Sequence, residues 1–203
     1  IYIVFFGFSL IVSSTYIFND LKDIEQDKQH PEKKFRPLAS GKLTPKFATV
    51  YSIILATVGF ALIIISKIEV LVFIAVYVMI TISYSIKLKY LKYIDFLSIT
   101  ILFALRIVIG GIASDTKLSN FLLIFVLTFL TQISLGKKLS IYNDPDISNL
   151  SKVKAHLKDS YKSKELDSIL KITFTISNMI FLIWAFQRWE GNQFNGLISL
   201  TAF

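Results

Sequence analysis

The sequence predicts an all-α fold, a polytopic bundle of transmembrane helices, and three observations carry that reading. The chain of 203 residues is 54% apolar. Its charges are bunched rather than interleaved. Between the bunches lie uncharged runs as long as a bilayer span. A hydrocarbon core about 30 Å thick asks roughly 17–25 apolar residues of a helix. The runs that fit are 1–18, 47–66, 70–86, 94–114 (interrupted by Arg106), 118–135 and 172–187. A seventh begins near Asn192. In lipid the backbone must satisfy its own hydrogen bonds, so runs of this kind are helices.

The polar connections alternate in charge. Residues 19–46 hold seven lysines and arginines, residues 87–92 hold three, and residues 136–168 hold seven, out of 22 in the chain. The intervening connections hold only Lys67, Lys117 and Arg188. Every second loop is therefore basic, as the positive-inside bias predicts. The three basic loops should share the cytoplasmic face, with Ile1 starting on the outer side. The net charge of +8 thus follows topology and is no nucleic-acid footprint. With no cysteine, disulfides and thiolate metal sites are excluded. No signal peptide is visible, and Ile1 and Phe203 both lie inside apolar runs. The expectation is one membrane domain over 1–203, most simply a fragment of a longer protein missing at least one helix at each end, the alternative being a numbering that starts after an unresolved segment.

The first element carries the most chemistry. Directly after the run 1–18 come Asn19, Asp20, Asp23 and Asp27. Residues three and four apart share a helix face, so these four oxygen-bearing side chains form one stripe where the first span leaves the membrane. Like charges stacked on one face repel unless a cation sits between them. Oxygen ligands without His or Cys suit a hard ion, and Mg²⁺ takes one or two carboxylates and keeps its other positions for water and substrate phosphates. Asp20, Asp23 and Asp27 are the candidate metal ligands, beside Asn19.

The same segment then turns basic. His30-Pro31 should break the helix, since proline disfavours helix in the residue before it. Lys33, Lys34, Arg36-Pro37 and a turn at Ser40-Gly41 follow. Such a loop can fold back over the acidic stripe, its bases taking phosphate oxygens that a metal does not reach. Arg36 is the better phosphate fork, and lysine acts as a point charge.

Further along, Lys87 and Lys89 stand at the next basic exit, and Asp95 opens the following helix, where its charge favours the helix dipole. Arg106 lies about eleven residues into an apolar run. Intramembrane charges are costly and face a polar cavity or a partner, so a carboxylate or a bound phosphate should meet it. Gly110-Gly111 reads as close helix packing. Residues 152–168 are too polar to span. They read as a helical cap, with Val153, Leu157, Tyr161 and Leu166 on its apolar side.

With these residues in view, the chain resembles the UbiA-type intramembrane prenyltransferase superfamily. The N-D-x-x-D-x-x-x-D signature is matched by Asn19, Asp20, Asp23 and Asp27. The H-P-x-K-x-x-R-P-[IL]-A-[AS]-G extension is matched by His30, Pro31, Lys33, Arg36, Pro37, Leu38, Ala39, Ser40 and Gly41. That extension looks most like the decaprenyl-phosphate phosphoribosyltransferase branch. A second signature runs through Tyr84, Ser85, Leu88, Lys89 and Asp95, then Leu105, Arg106, Gly110 and Gly111. A third step stands at Gly136, Lys137 and Lys138. Members that use prenyl diphosphates often carry a D-x-x-x-D pair; here Asp95 stands alone with Leu91 four residues earlier, which favours the phosphoribosyl branch.

The resemblance implies a family fold of nine helices around a cavity open to the cytoplasm, of which six to seven are covered here; the missing parts would then be the first helix and the C-terminal end. It implies a multi-pass membrane transferase dependent on Mg²⁺, moving 5-phosphoribose from phosphoribosyl diphosphate to a polyprenyl (decaprenyl) phosphate for cell-envelope precursors. Its substrate-binding residues would be Lys33, Arg36, Tyr84, Lys89, Asp95, Arg106 and Lys137. Partners would be those substrates and membrane lipids, not nucleic acid, and a homo-oligomer is compatible with the reading. Two alternatives stay open: a UbiA-type enzyme using a prenyl diphosphate donor and an aromatic or other polar acceptor, and a non-enzymatic transporter or lipid-binding protein.

Overall fold

Six long helices follow one another in the computed structural model, which describes residues 1–30, 32–143 and 161–191. They are α1 (Tyr2–Lys28), α2 (Pro45–Ser66), α3 (Leu71–Ile86), α4 (Ile94–Ala113), α5 (Asn120–Asn143) and α6 (Ser163–Gly191). All six are long and apolar enough to cross a membrane, α3 together with the short turn Ile68–Val70 that leads into it. Among the described residues there is no strand. Pro31, the part of the expected cap holding Val153 and Leu157, and the run from Asn192 lie outside the described residues.

The bundle is assembled mainly from sequence neighbours. α1 packs on α2 and α3, α3 on α4, α4 on α5, and α5 on α6. The α1–α2 seam depends on two glycines. A Cβ on Gly59 would stand 2.7 Å from the Gly7 carbonyl oxygen and 2.7 Å from Ile11 Cγ1. Membrane helices associate through this kind of small-residue approach and through polar side chains between them. Ser14 and Ser52 supply the second ingredient in the same seam, with their hydroxyls 3.0 Å apart. Thr100 and Thr131 do so between α4 and α5, at 3.3 Å. Val4, Ile11, Ile63, Ile74 and Ile109 form one buried apolar cluster, and Phe96, Leu135, Tyr161 and Leu166 form another.

α1 does run past the apolar edge at Phe18 to Lys28, as the acidic stripe and the His30-Pro31 break imply, so span and stripe share one rod of about 40 Å. Other boundaries differ from the sequence reading, for local reasons. α5 extends past Leu135 to Asn143 and carries Gly136, Lys137 and Lys138 on a helix rather than in a loop. α6 starts at Ser163, before the apolar run. Tyr161 and Leu166 are buried as the cap reading expects, but at the entry and in the first turn of α6. Of the Gly110-Gly111 pair, only Gly111 is crowded, and by the Leu118 side chain of the next connection. Gly110 has open space around it. The close helix approach lies at Gly7–Gly59 instead.

Among the described residues, Arg36, Lys89 and Lys138 all pair with acids at one end of the bundle. The opposite end holds the Lys67–Asp115 pair, at 2.5 Å.

Candidate active site

The end of α1 presents its acids as the spacing predicts. Asn19, Asp20, Asp23 and Asp27 lie on one continuous helix, and Asp27 is buried. The chain then folds back. His30 Nδ1 accepts from the Glu32 and Lys33 amides, at 3.2 and 3.3 Å, and shapes the short turn Lys33–Phe35. Gly41, at φ +76°, makes the reversal that a side chain would resist. Leu38 and Ala39 are buried and pin the loop. Arg36 is thereby carried onto the acids: its Nη1 donates to Asp20 Oδ1 at 2.8 Å and to Asp27 Oδ2 at 2.9 Å. Lys33 Nζ stands 3.9 Å from Asp27 Oδ1.

The second basic connection supplies Lys89, whose Nζ lies 2.5 Å from Asp23 Oδ1. Asn19 Nδ2 donates to Asp23 Oδ2 at 3.3 Å. The polar end of α5 supplies Lys138, whose ammonium is held by Asp95 Oδ2. Each of these acids thus meets a base, from the first two basic connections or from the end of α5. These side chains border a cavity of about 290 Å³, with Tyr84 on its wall. A second cavity of about 520 Å³ adjoins it, and Lys137 lines that one.

Asp95 is saturated. It is buried, it accepts from its own Phe96 amide at 2.7 Å and from the Tyr161 hydroxyl at 2.8 Å, and it holds Lys138. What Asp95 presents to the cavity is therefore Lys138 and Tyr161, placed by its two oxygens. Tyr161 also accepts from the Tyr93 amide at 2.5 Å. That contact stabilises a left-handed backbone at Tyr93, φ +67°. Desolvation pushes the Tyr161 phenol well above its ordinary value, against the Tyr93 hydrogen bond and with help from the Asp95 carboxylate, so it stays a donor. Lys92 meets the Glu165 carboxylate at 2.9 Å, and that hydrogen bond holds its ammonium above the usual range. The second basic exit is thereby tied to the first turn of α6.

Arg106 lies apart from this cluster. Among the described residues no carboxylate forms an ion pair with it. It donates to the hydroxyls of Tyr77 at 2.7 Å and Tyr16 at 3.2 Å. Its guanidinium carbon stands 5.0 Å from the Phe103 ring centre and 5.6 Å from that of Tyr77.

The fit of a divalent metal turns on the three aspartates. As the side chains stand, no three carboxylate or imidazole groups among the described residues converge on one point. Asp20 and Asp27 already converge on a cationic nitrogen, while Asp23 leans to Lys89. An oxygen-only pair of carboxylates closing on a cation is the donor chemistry that Mg²⁺ accepts. The residues present fit such an ion once Arg36 turns away.

Sequence reasoning names Lys138 only as part of the third step and not as a binding residue, and it misses the polar use of Tyr161. A signal for Lys138 was present: Thr131 and Leu135 face inward, and 138 continues their helical spacing whereas 137 does not.

Comparisons with known proteins give the chain's family. A family model described as the UbiA prenyltransferase family matches residues 1–146. The chain is 28% identical over 200 residues to a decaprenyl-phosphate phosphoribosyltransferase of Mycolicibacterium smegmatis, covering 98% of this chain and 61% of the relative. It is 27% identical over 202 residues to the protein of that name from Mycobacterium tuberculosis, covering 98% and 65%. A digeranylgeranylglyceryl phosphate synthase of Saccharolobus solfataricus is 31% identical over 180 residues, covering 86% and 62%. The chain therefore spans less than two thirds of the length of each of these relatives.

Proposed function

The chain belongs to the UbiA prenyltransferase family, and from that premise we propose that this multi-pass membrane protein transfers 5-phosphoribose from phosphoribosyl diphosphate to a polyprenyl phosphate. The observation that carries the reading is Arg36 Nη1 held between Asp20 and Asp27. A site whose acids and bases neutralise one another at rest can exchange both sets at once. The acids take a divalent cation, and the bases take the phosphates that arrive with it.

In this reading Asp20 and Asp27, with Asp23 beside them, hold Mg²⁺. Bound there, the ion supplies Lewis-acid stabilisation of a departing diphosphate. Arg36 turns its fork to diphosphate oxygens. Lys33 and Lys89 neutralise the remaining charge as point cations. Lys138, positioned by Asp95 and Tyr161, offers a further ammonium to the same cavity, and Lys137 one to the adjoining cavity. Tyr84 bounds the pocket on the α3 side. A lone pair on the acceptor's phosphate forms the new bond to the anomeric carbon as the bond to the diphosphate oxygen breaks, and the electron pair leaves with the diphosphate. The acceptor is already an anion, so no general base is required, and no covalent intermediate forms on the protein.

The phosphoribosyl donor is favoured by the coverage of nearly the whole chain by the mycobacterial relatives and by the His30–Gly41 run that brings Arg36 to the acids. A prenyl diphosphate donor is the second reading, supported by the likeness to the archaeal synthase. In this reading the site faces the cytoplasm, the side that the positive-inside bias favours for basic loops. Membranes holding the full protein, supplied with Mg²⁺, a polyprenyl phosphate and radiolabelled phosphoribosyl diphosphate, should pass label into the lipid fraction. Label staying in the aqueous phase while a prenyl diphosphate reacts would overturn the first reading in favour of the second.

A further inference from the structure

The acceptor's place is open in the reading above, and the middle of the bundle speaks to it. Below the acidic end, α1 and α4 border a cavity of about 510 Å³. Its walls are mostly apolar, with Val4, Phe8 and Val12 from α1 and Ile109 and Ala113 from α4. Arg106 closes the end nearest the acids. Its Nε is buried and has no hydrogen-bond partner among the described residues. An uncompensated cation at this depth is costly unless an anion or a polar cavity meets it, and a buried donor left unmade costs its full desolvation. Tyr77 and Tyr16 accept from the guanidinium, and their own hydroxyl protons are left to donate.

The order along α1 is specific. Val4, Phe8 and Val12 line the cavity, Tyr16 bonds Arg106, and Asp20 bonds Arg36. These residues follow at four-residue steps, each a rise of about 6 Å. An apolar chamber, a cation with phenols, and the acid–base cluster are therefore stacked along one helix.

Resting on the proposed transferase reading, we infer that Arg106, with Tyr16 and Tyr77, holds the phosphate of an isoprenoid lipid phosphate whose first units fill the α1–α4 cavity. The guanidinium matches phosphate oxygens in charge and fork geometry, and the apolar chamber suits the chain. The lipid phosphate would then stand one helical turn below Asp20, directly beneath the donor site.

The test is direct binding to the full-length protein in nanodiscs of zwitterionic lipid. The probes are a polyprenyl monophosphate, the polyprenol of equal chain length, inorganic phosphate and phosphoribosyl diphosphate with Mg²⁺. Wild type should prefer the monophosphate to the polyprenol by about 10-fold or more, the scale of hydrogen bonds to a charged partner. Arg106→Gln should erase that preference, Arg106→Lys should keep part of it, and both should bind phosphoribosyl diphosphate as wild type does. Tyr16→Phe removes only a hydroxyl from an exposed side chain and should weaken monophosphate binding about 3-fold; it serves where Arg106→Gln does not fold. Unchanged monophosphate preference in Arg106→Gln, or in Tyr16→Phe where Arg106→Gln does not fold, overturns the inference. So does an Arg106-dependent affinity for inorganic phosphate equal to that for the lipid. If label transfer from phosphoribosyl diphosphate fails while Arg106→Gln still erases the preference, the donor assignment falls and the lipid-phosphate site stands.

Discussion

Lys89 Nζ lies 2.5 Å from Asp23 Oδ1, joining residues 66 apart in sequence, with both side chains largely shielded from solvent. The pair fastens the second basic connection to the acidic end of α1. It makes the site a junction of α1, two basic connections and the polar end of α5 rather than a property of one segment.

That junction predicts a stability effect. Lys89→Ala leaves Asp23 largely shielded with only the Asn19 amide bonded to it, which should cost about 2 kcal/mol. The double substitution Lys89→Ala with Asp23→Ala should cost less than the sum of the two singles. Thermal unfolding in detergent, run as a double-mutant cycle, reads this, and strict additivity would show that the pair contributes nothing.

Transfer activity should depend on the acids that share Arg36. Asp20→Asn and Asp27→Asn should each lower turnover by at least ~100-fold, since each removes a charged ligand for the cation. Chelation with EDTA should abolish wild-type turnover, and added Mg²⁺ should restore it. Full label transfer in both variants would remove the metal assignment.

Tyr161 predicts an alkaline effect of definite sign. Its phenol is held above its ordinary value near 10, so the unfolded chain ionises there first. The stability it contributes is fully present below about pH 10 and is lost as pH rises beyond it. Unfolding of wild type should therefore become easier from pH 10 upward, and Tyr161→Phe should show a shallower decline. Equal slopes for the two proteins would count against the buried Tyr161–Asp95 contact.

The α1–α2 seam predicts a contrast between two glycines. Gly59→Ala meets the Gly7 carbonyl and Ile11 at 2.7 Å and should lose about 1–3 kcal/mol. Gly110→Ala meets nothing within 4 Å and should be neutral or gain up to ~1 kcal/mol from helix propensity. Proteolysis of the two variants in micelles separates them, and comparable resistance would refute the close packing.

Much of this was legible before any coordinates, and the limits have physical causes. Span length is set by the bilayer, so the runs at 47–66 and 70–86 land within two residues of α2 and α3. Helix continuity past the apolar edge is not written in hydropathy. The polar extension of α5 therefore reads as a loop, and Lys137 rather than Lys138 stands out as the binding residue, whereas the four-residue spacing of the acids does carry α1 past its apolar edge. The acidic stripe was visible because its residues are local. Its pairing with Arg36 was only an allowed fold-back, and the pairing with Lys89 is long-range and left no local trace. Arg106 announced itself by cost. That its partners are two phenols and not a carboxylate depends on the α1, α3 and α4 faces meeting, which no single-helix pattern records.

Arg36 between Asp20 and Asp27 has one more consequence. While it stays there, those carboxylates are spoken for, and on the proposed reading a cation and a diphosphate would each meet a competitor. A diphosphate that drew Arg36 away would release the carboxylates, and a cation that bound them would release Arg36. The two ligands should therefore bind cooperatively, each raising the other's affinity by the same factor. Either alone should bind weakly, so the resting ion pairs act as a coincidence gate that opens only when metal and diphosphate are present together.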